Sequence, residues 1–215
     1  MPRTWDARAA RWLVTPLKAT RVTPNHLTTV RLLIGLASAL AFTRGGYLWS
    51  NMGALMLVLS NFTDHADGEL ARISGKASKT GHIYDLASDA VVTVAVFVGI
   101  GIGVAQDSTA LFAPPVLLGC VAGVAVALIF FLRMRIEAHA GKAGTRQASL
   151  GGLETEDVLY LMPAVTLLDG TRNFLLAAAI GAPLFALWVA IGYRRAMRRE
   201  GVSSSSDAAN DSAAP

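Results

Sequence analysis

Long apolar stretches are the feature of this sequence that most restricts its fold. An α-helix needs about 20 apolar residues to cross the hydrocarbon core of a bilayer, and several stretches approach this length. There are six such stretches, at residues 27–42, 47–62, 87–105, 111–132, 157–168 and 174–193. Because lipid offers no hydrogen bonds to the backbone, each stretch is predicted to be a helix rather than a strand. The sequence therefore predicts an all-α integral membrane protein.

The composition agrees with this prediction, since 53% of the residues are hydrophobic and only 16% are charged. The fifth stretch is the weakest, because it is short and contains Pro163. We therefore predict six transmembrane helices, with five as the alternative.

Basic residues predict the orientation of the helices. If the N-terminus is cytosolic, six spans place every lysine and arginine except Arg44 and Arg172 on the cytosolic side. Five spans would move the basic residues 194–199 to the other side. We expect a multi-pass protein of the inner or plasma membrane, with the active site and both termini in the cytosol.

The net charge of +4 is explained by this asymmetry and by attraction to anionic membrane lipids. The sequence contains no basic stripe interleaved with aromatic residues, so nucleic acid is not a predicted partner.

The two ends of the chain differ from the apolar middle. Residues 1–22 are predicted to form an interfacial amphipathic helix, because Trp5 and Trp12 share one side, away from the arginines. A six-helix membrane domain is predicted for residues 23–199. Residues 200–215 are rich in Ser, Ala and Asp and are predicted to be a disordered cytosolic tail.

Pairs of glycines four residues apart occur in two of the apolar stretches. Gly99 and Gly103 form one pair, and Gly119 and Gly123 form the other. Small residues let helices approach closely, either within one chain or in a homodimer, and both readings stay open. The single cysteine, Cys120, excludes a disulfide framework and a cysteine metal site.

Residues 61–89 are the most informative segment, because four aspartates lie there, where an apolar stretch meets a basic loop. They are Asp64, Asp67, Asp85 and Asp89. An ionised acid costs about 2.5–3.5 kcal/mol near the bilayer centre and less near a helix end. With no protein cation expected to balance them, a divalent metal ion is the predicted compensation. An all-oxygen ligand set favours Mg²⁺ or Mn²⁺ over zinc.

The spacing of these acids predicts that they converge. Asp64 and Asp67 share one helix face, and Asp85 and Asp89 share another. The short loop between the two helices predicts antiparallel neighbours with the acids at the same end. A membrane cation transporter would instead place carboxylates at the bilayer midplane, and a nonenzymatic membrane scaffold would need no such cluster.

The full pattern resembles the signature of the CDP-alcohol phosphotransferase family: Asp64-x2-Asp67-Gly68-x2-Ala71-Arg72-x8-Gly81-x3-Asp85-x3-Asp89. The segment 23–28 before the first apolar stretch is also similar, and the resemblance covers residues 3–199. It implies transfer of a substituted phosphate, a phosphatidyl group in our reading, from a CDP-linked donor such as CDP-diacylglycerol to a hydroxyl acceptor, with release of CMP. A transferase that makes a soluble phosphodiester from a CDP-linked small alcohol is the alternative.

The resemblance also implies residue roles. Asp64, Asp67 and Asp85 correspond to ligands of a centre with two Mg²⁺ or Mn²⁺ ions, and Asp89 completes it or acts as the catalytic base. The implied contacts of the CDP donor are Asn25, Thr28, Gly68, Ala71, Arg72, Ser78 and Gly81. Arg133 and Arg135 are candidates for binding an anionic acceptor. The run from Asp85 to Ala90 lacks the form found in phosphatidylglycerophosphate synthases, and it does not resemble that of the typical serine or inositol enzymes either, so the acceptor stays open.

Overall fold

The computed structural model of the protein describes residues 5–76, 78–106, 111–145 and 161–211. These residues form seven α-helices, one 3-10 helix and no strand, so the all-α prediction is confirmed. The helices are α1 (Trp5–Val14), the 3-10 helix (Thr15–Ala19), α2 (Pro24–Thr43), α3 (Gly46–Ser74), α4 (Lys79–Val104), α5 (Pro115–Thr145), α6 (Met162–Leu167) and α7 (Thr171–Asp211).

Four of the described helices are long and apolar enough to cross a membrane. The spans lie at Pro24–Thr43, Lys79–Val104, Pro115–Ile136 and Thr171–Arg194. The remaining long helix, α3, is less apolar because Asn51 and Asn61 interrupt its hydrophobic part. Of the predicted fifth span, residues 157–160 lie outside the described residues, and α6 has only six residues. The six-span arrangement therefore stays a prediction.

Helix α2 lies between the two helices that carry the aspartates. It packs against both α3 and α4, while α4 packs on α5 and α5 on α7. The prediction that α3 and α4 are side-by-side neighbours was wrong, because within the described part of the chain α3 packs mainly on α2, and α4 packs on α2 and α5. The main core joins all of these helices and includes Phe42, Leu57, Val96, Phe97, Ile100, Leu118, Met162 and Leu175.

Glycines explain why α2 and α4 approach so closely. A Cβ atom built on Gly99 would overlap the carbonyl oxygen of Ala39, and one on Gly103 would overlap that of Phe42. A Cβ atom on Gly35 would lie 2.6 Å from the side chain of Val92. The glycine pairs thus serve contacts within this chain, one of the two readings left open by the sequence.

The start of α2 is determined by its own sequence. Pro24 occupies the first turn, where the missing N–H costs no hydrogen bond. The backbone N–H of Thr23 donates to Nδ1 of His26 at 3.3 Å and closes the end of the helix. The ammonium of Lys76, in the loop after α3, donates to the carbonyl oxygens of Thr20 and Val22 at 3.1 and 3.2 Å. The entry to α2 is therefore fastened to the loop between α3 and α4.

The N-terminal helix α1 packs on α3 through a small apolar cluster. Ala10 and Val14 are buried against Ala66 and Leu70. Trp12, in contrast, is 80% exposed. This face is available for a membrane surface, and the interfacial position of α1 stays a prediction.

The last helix continues beyond the predicted membrane domain. Residues 200–211 belong to α7, which runs from Thr171 to Asp211. The disordered cytosolic tail at residues 200–215 stays a prediction.

Candidate metal centre

Three of the four predicted aspartates meet at one point. Asp64 and Asp67 come from α3 and Asp85 from α4, and one carboxylate oxygen from each lies within 4.8 Å of the others. The separation of three residues puts the first two on one side of α3. The predicted convergence is thus confirmed for these three residues.

Asp67 is the buried member of the group. It is 5% exposed, and the hydroxyl of Thr28 on α2 donates to its Oδ2 atom at 2.7 Å. Asp67 lies beyond the apolar stretch 47–62, and burial raises its pKa to about 6, against the opposing effect of the Thr28 hydrogen bond. Burial therefore makes this carboxylate easier to protonate than an exposed aspartate.

A buried arginine occupies the centre of the cluster. Arg31 of α2 is only 2% exposed, and its Nη1 atom contacts the carboxylate of Asp64. The same atom lies 3.1 Å from Oδ1 of Asp85, an ion pair without hydrogen-bond geometry. The Nη2 atom lies 3.0 Å from Oδ1 of Asp89 and donates to the backbone oxygen of Asp85 at 3.2 Å.

Arg31 corrects the expectation that no protein cation balances the acids. Sequence reasoning counted Arg31 only as a basic residue near the cytosolic side. The sequence did contain a sign of this role, because Arg31 is a charged residue inside an apolar stretch. A charge in such a position is costly and is usually paired with an opposite charge. Asp89 does not belong to the group of three carboxylates within 4.8 Å. It is connected to them through its ion pair with the guanidinium of Arg31.

The residues present fit a hard divalent cation. The oxygen ligands of Mg²⁺ lie about 2.1 Å from the ion, so opposite ligands are about 4.2 Å apart. The 4.8 Å spread of the three carboxylate oxygens needs only a small inward movement to reach this geometry. Arg31 contributes one positive charge to four carboxylates, so it cannot neutralise the cluster by itself.

The predicted donor contacts on α2 and α4 lie side by side. A Cβ atom on Gly81 would lie 2.8 Å from Oδ1 of Asn25 and 2.9 Å from the hydroxyl of Ser78, so a larger residue there would displace these two side chains. The Ser78 hydroxyl accepts from the backbone N–H of Gly81 at 3.0 Å and caps α4. Thr29 and Tyr84, which sequence reasoning missed, bond through their hydroxyls at 3.0 Å across the same two helices.

The predicted contacts on α3 border the carboxylates. Gly68 has no atom within 4 Å of a Cβ position, which leaves its backbone open to a ligand. Ala71 is half-buried one turn further along α3. Arg72 is exposed and pairs at 2.5 Å with Glu69, a buried residue that sequence reasoning also missed. Oε2 of Glu69 has no hydrogen-bond partner among the described residues.

The two candidate acceptor residues lie on α5. Arg133 is half-buried and Arg135 is exposed. Their role toward an acceptor stays a prediction.

Comparisons with known proteins show which family this chain resembles. The family model for CDP-alcohol phosphatidyltransferases matches residues 21–193. An archaetidylinositol phosphate synthase of Pyrococcus horikoshii is 35% identical over 83 residues, which is 38% of this chain and 42% of that protein. A bifunctional IPC transferase and DIPP synthase of Rubrobacter xylanophilus is 31% identical over 167 residues, or 76% of this chain and 34% of that protein. The chain thus spans less than half the length of these curated relatives.

Solved structures share the fold. A phosphatidylinositol phosphate synthase of Mycobacterium tuberculosis with CDP-DAG bound has a TM-score of 0.56 at 23% identity, covering 90% of this chain and 92% of that chain. A structure of the same enzyme with manganese and citrate has a TM-score of 0.58 at 22% identity, covering 90% and 87%.

Proposed function

The chain belongs to the CDP-alcohol phosphatidyltransferase family, as its sequence signature predicted, and from this premise we propose its reaction. The protein transfers a phosphatidyl group from a CDP-linked lipid donor such as CDP-diacylglycerol to an alcohol hydroxyl and releases CMP. The reaction depends on Mg²⁺ or Mn²⁺, with two ions in the complete site.

The observation that carries this proposal is the meeting of Asp64, Asp67 and Asp85 beside open backbone at Gly68. A carboxylate cluster next to an accessible glycine could hold divalent ions, which would supply positive charge to a diphosphate beside them. The solved relatives with CDP-DAG and with manganese support the same reading.

Each group has a proposed task. Asp64, Asp67 and Asp85 would hold the divalent ions, which would supply positive charge to the diphosphate and to the departing CMP. Asn25, Ser78 and Gly81 border the same space and are proposed to bind the donor, together with Thr28, Gly68, Ala71 and Arg72.

Asp89 is proposed to receive the proton of the attacking hydroxyl. An alcohol is a weak nucleophile at neutral pH, so a carboxylate within hydrogen-bond reach is required. The ion pair with Arg31 holds the Asp89 carboxylate beside the ligands but outside the group within 4.8 Å. Of the two roles predicted for Asp89, this position favours that of catalytic base over that of metal ligand.

The acceptor is the open part of the proposal. One relative is named as an archaetidylinositol phosphate synthase and another as a phosphatidylinositol phosphate synthase. A further relative in Rickettsia felis is named as a CDP-diacylglycerol–glycerol-3-phosphate 3-phosphatidyltransferase. A soluble phosphodiester product, made from a CDP-linked small alcohol, stays the alternative.

Release of labelled CMP from CDP-diacylglycerol by the purified protein tests the function. The acceptors are inositol phosphate, inositol, glycerol 3-phosphate and serine, with a reaction lacking acceptor as control. We expect release with one acceptor class, accompanied by a new phospholipid. CDP-inositol is tested as a second donor with the same acceptors. CMP release from CDP-inositol but not from CDP-diacylglycerol would establish the alternative, and no release from either donor would contradict the family activity.

The position of the acids along their helices argues against a cation transporter. Asp64 lies ten residues before the end of α3 and Asp85 six residues after the start of α4. At about 1.5 Å per residue, Asp64 and Asp85 lie about 15 Å and 9 Å from the connected ends of helices of 29 and 26 residues, so both lie toward the same end rather than at the middle. A substrate site open to one side of the membrane fits this position better than a transport path through the midplane.

We also propose six spans, an interfacial α1 and a cytosolic site. The predicted domains are an interfacial segment 1–22, a membrane domain 23–199 and a tail 200–215. In a Cys120→Ala background, a cysteine replacing Lys79 is expected to react with an impermeant maleimide only after cells are opened. A cysteine replacing Gln106, at the opposite end of α4, is expected to react in intact cells. The reverse pattern of labelling would reject this orientation.

A further inference from the structure

Arg31 contacts the same carboxylates that are proposed to hold metal ions. Its guanidinium pairs with Asp64 and Asp85, two of the three members of the group within 4.8 Å. It also pairs with Asp89 at 3.0 Å. Asp67, the third member, takes the hydroxyl hydrogen bond of Thr28. One side chain of α2 therefore links carboxylates of α3 to carboxylates of α4.

The surroundings of Arg31 do not explain its presence by packing. It lies in the run Val30-Arg31-Leu32-Leu33-Ile34, at the start of an apolar span, and is 2% exposed. A buried guanidinium is strongly unfavourable unless opposite charges surround it. The backbone oxygen of Arg31 accepts from the hydroxyl of Ser60 at 3.0 Å, which fixes this turn of α2 against α3. The arginine is thus held at the carboxylates from both its backbone and its side chain.

A guanidinium and a divalent ion compete for shared carboxylates. Each oxygen that contacts Arg31 has part of its negative charge already compensated, and the positive charge of Arg31 repels a second cation. In the absence of an ion, the same contact offsets the repulsion between the acids of two helices. Arg31 therefore stabilises the fold in the absence of an ion, and it lowers the affinity of the site for a divalent ion.

We propose that Arg31 is a built-in counter-cation of the metal centre. It holds the acids of α3 and α4 together before a divalent ion binds, and it weakens the binding of that ion. This inference rests on the proposed metal-dependent function.

The test compares the full-length protein in detergent with Arg31→Gln and with Arg21→Gln. The second variant removes the same charge from an exposed residue just before α2. Mn²⁺ affinity is measured by calorimetric titration, and the melting temperature is measured in EDTA and in saturating Mn²⁺. Arg31→Gln is expected to bind Mn²⁺ at least about tenfold more tightly than the wild type. Its melting temperature in EDTA is expected to fall by about 4 °C or more. Saturating Mn²⁺ should recover most of that loss, and Arg21→Gln should change neither quantity.

A merely structural role of Arg31 would give a different result. It would lower the melting temperature equally in EDTA and in Mn²⁺, with unchanged or weaker Mn²⁺ binding, and either outcome overturns the inference. If Arg31→Gln does not fold, the same measurements are made on Arg31→Lys. Lysine keeps the charge but cannot bridge three carboxylates. We expect its melting temperature to fall more in EDTA than in Mn²⁺, and equal losses would reject the proposal. A wild-type protein that binds no Mn²⁺ would instead contradict the proposed metal centre itself.

Discussion

Removal of divalent ions with EDTA is expected to abolish CMP release from CDP-diacylglycerol by the purified protein. Asp64, Asp67 and Asp85 bring three carboxylates within 4.8 Å, and a diphosphate donor adds further negative charge at the same place. One guanidinium cannot balance these charges. Because bound ions contribute several kcal/mol to charge stabilisation in phosphoryl transfer, the loss of rate should reach at least about a thousandfold.

Readdition of excess Mg²⁺ or Mn²⁺ should restore the rate. Comparison of the rates with the two ions shows which ion the enzyme prefers. EDTA saturated with Mg²⁺ before addition is the control, since it cannot remove ions from the protein. Full activity in free chelator would refute the metal centre, and with it the roles given to the three aspartates.

The substitution Asp89→Asn is expected to abolish turnover but to keep most of the affinity for the CDP-linked donor. If Asp89 takes the proton of the acceptor hydroxyl, its loss removes a general base, worth about 10²–10⁴ in rate. Donor binding should survive, because Asp64, Asp67 and Asp85 still meet. Asp64→Asn should instead lose both turnover and donor binding, since it removes a ligand of the ions.

Calorimetric titration of the donor into both variants with excess Mg²⁺ separates the two roles. Asp169→Asn is the matched control. This aspartate is exposed, lies between α6 and α7, and has φ = 52°, a conformation that asparagine tolerates. Substantial turnover in Asp89→Asn would show that another group accepts the proton. A loss of donor binding equal to that of Asp64→Asn would make Asp89 a metal ligand.

The helices and the acidic faces were predictable because both depend on local periodicity. Apolar stretches determine where a membrane helix can lie, and a separation of three or four residues determines which aspartates share a side. These signals require no knowledge of neighbouring helices. They therefore predicted the all-α class and the two acidic helix faces. The meeting of Asp64 and Asp67 with Asp85 also depended on the short loop, which places both faces at the same end of their helices.

The place of α2 was not predictable in the same way. The short loop between α3 and α4 predicted that the two helices are direct neighbours. The length of a loop does not show whether another helix can pack between the two helices that it connects. Gly35, Gly99 and Gly103 carry that information, since they remove the side chains that would separate α2 from α4. The part played by Arg31 was missed for the same reason, because it depends on a helix contact rather than on a motif.

The backbone contacts of Gly99 and Gly103 also determine which parts of the site can move. Where two helices touch through main-chain atoms, there are no side chains whose rotation could absorb a displacement. We therefore expect α2 and α4 to behave as one stiff unit that keeps Thr28, Arg31 and Asp85 in register. Adjustment to an arriving nucleotide then falls to the end of α3, where the Cβ positions of Gly68 and Gly75 have no neighbours within 4 Å.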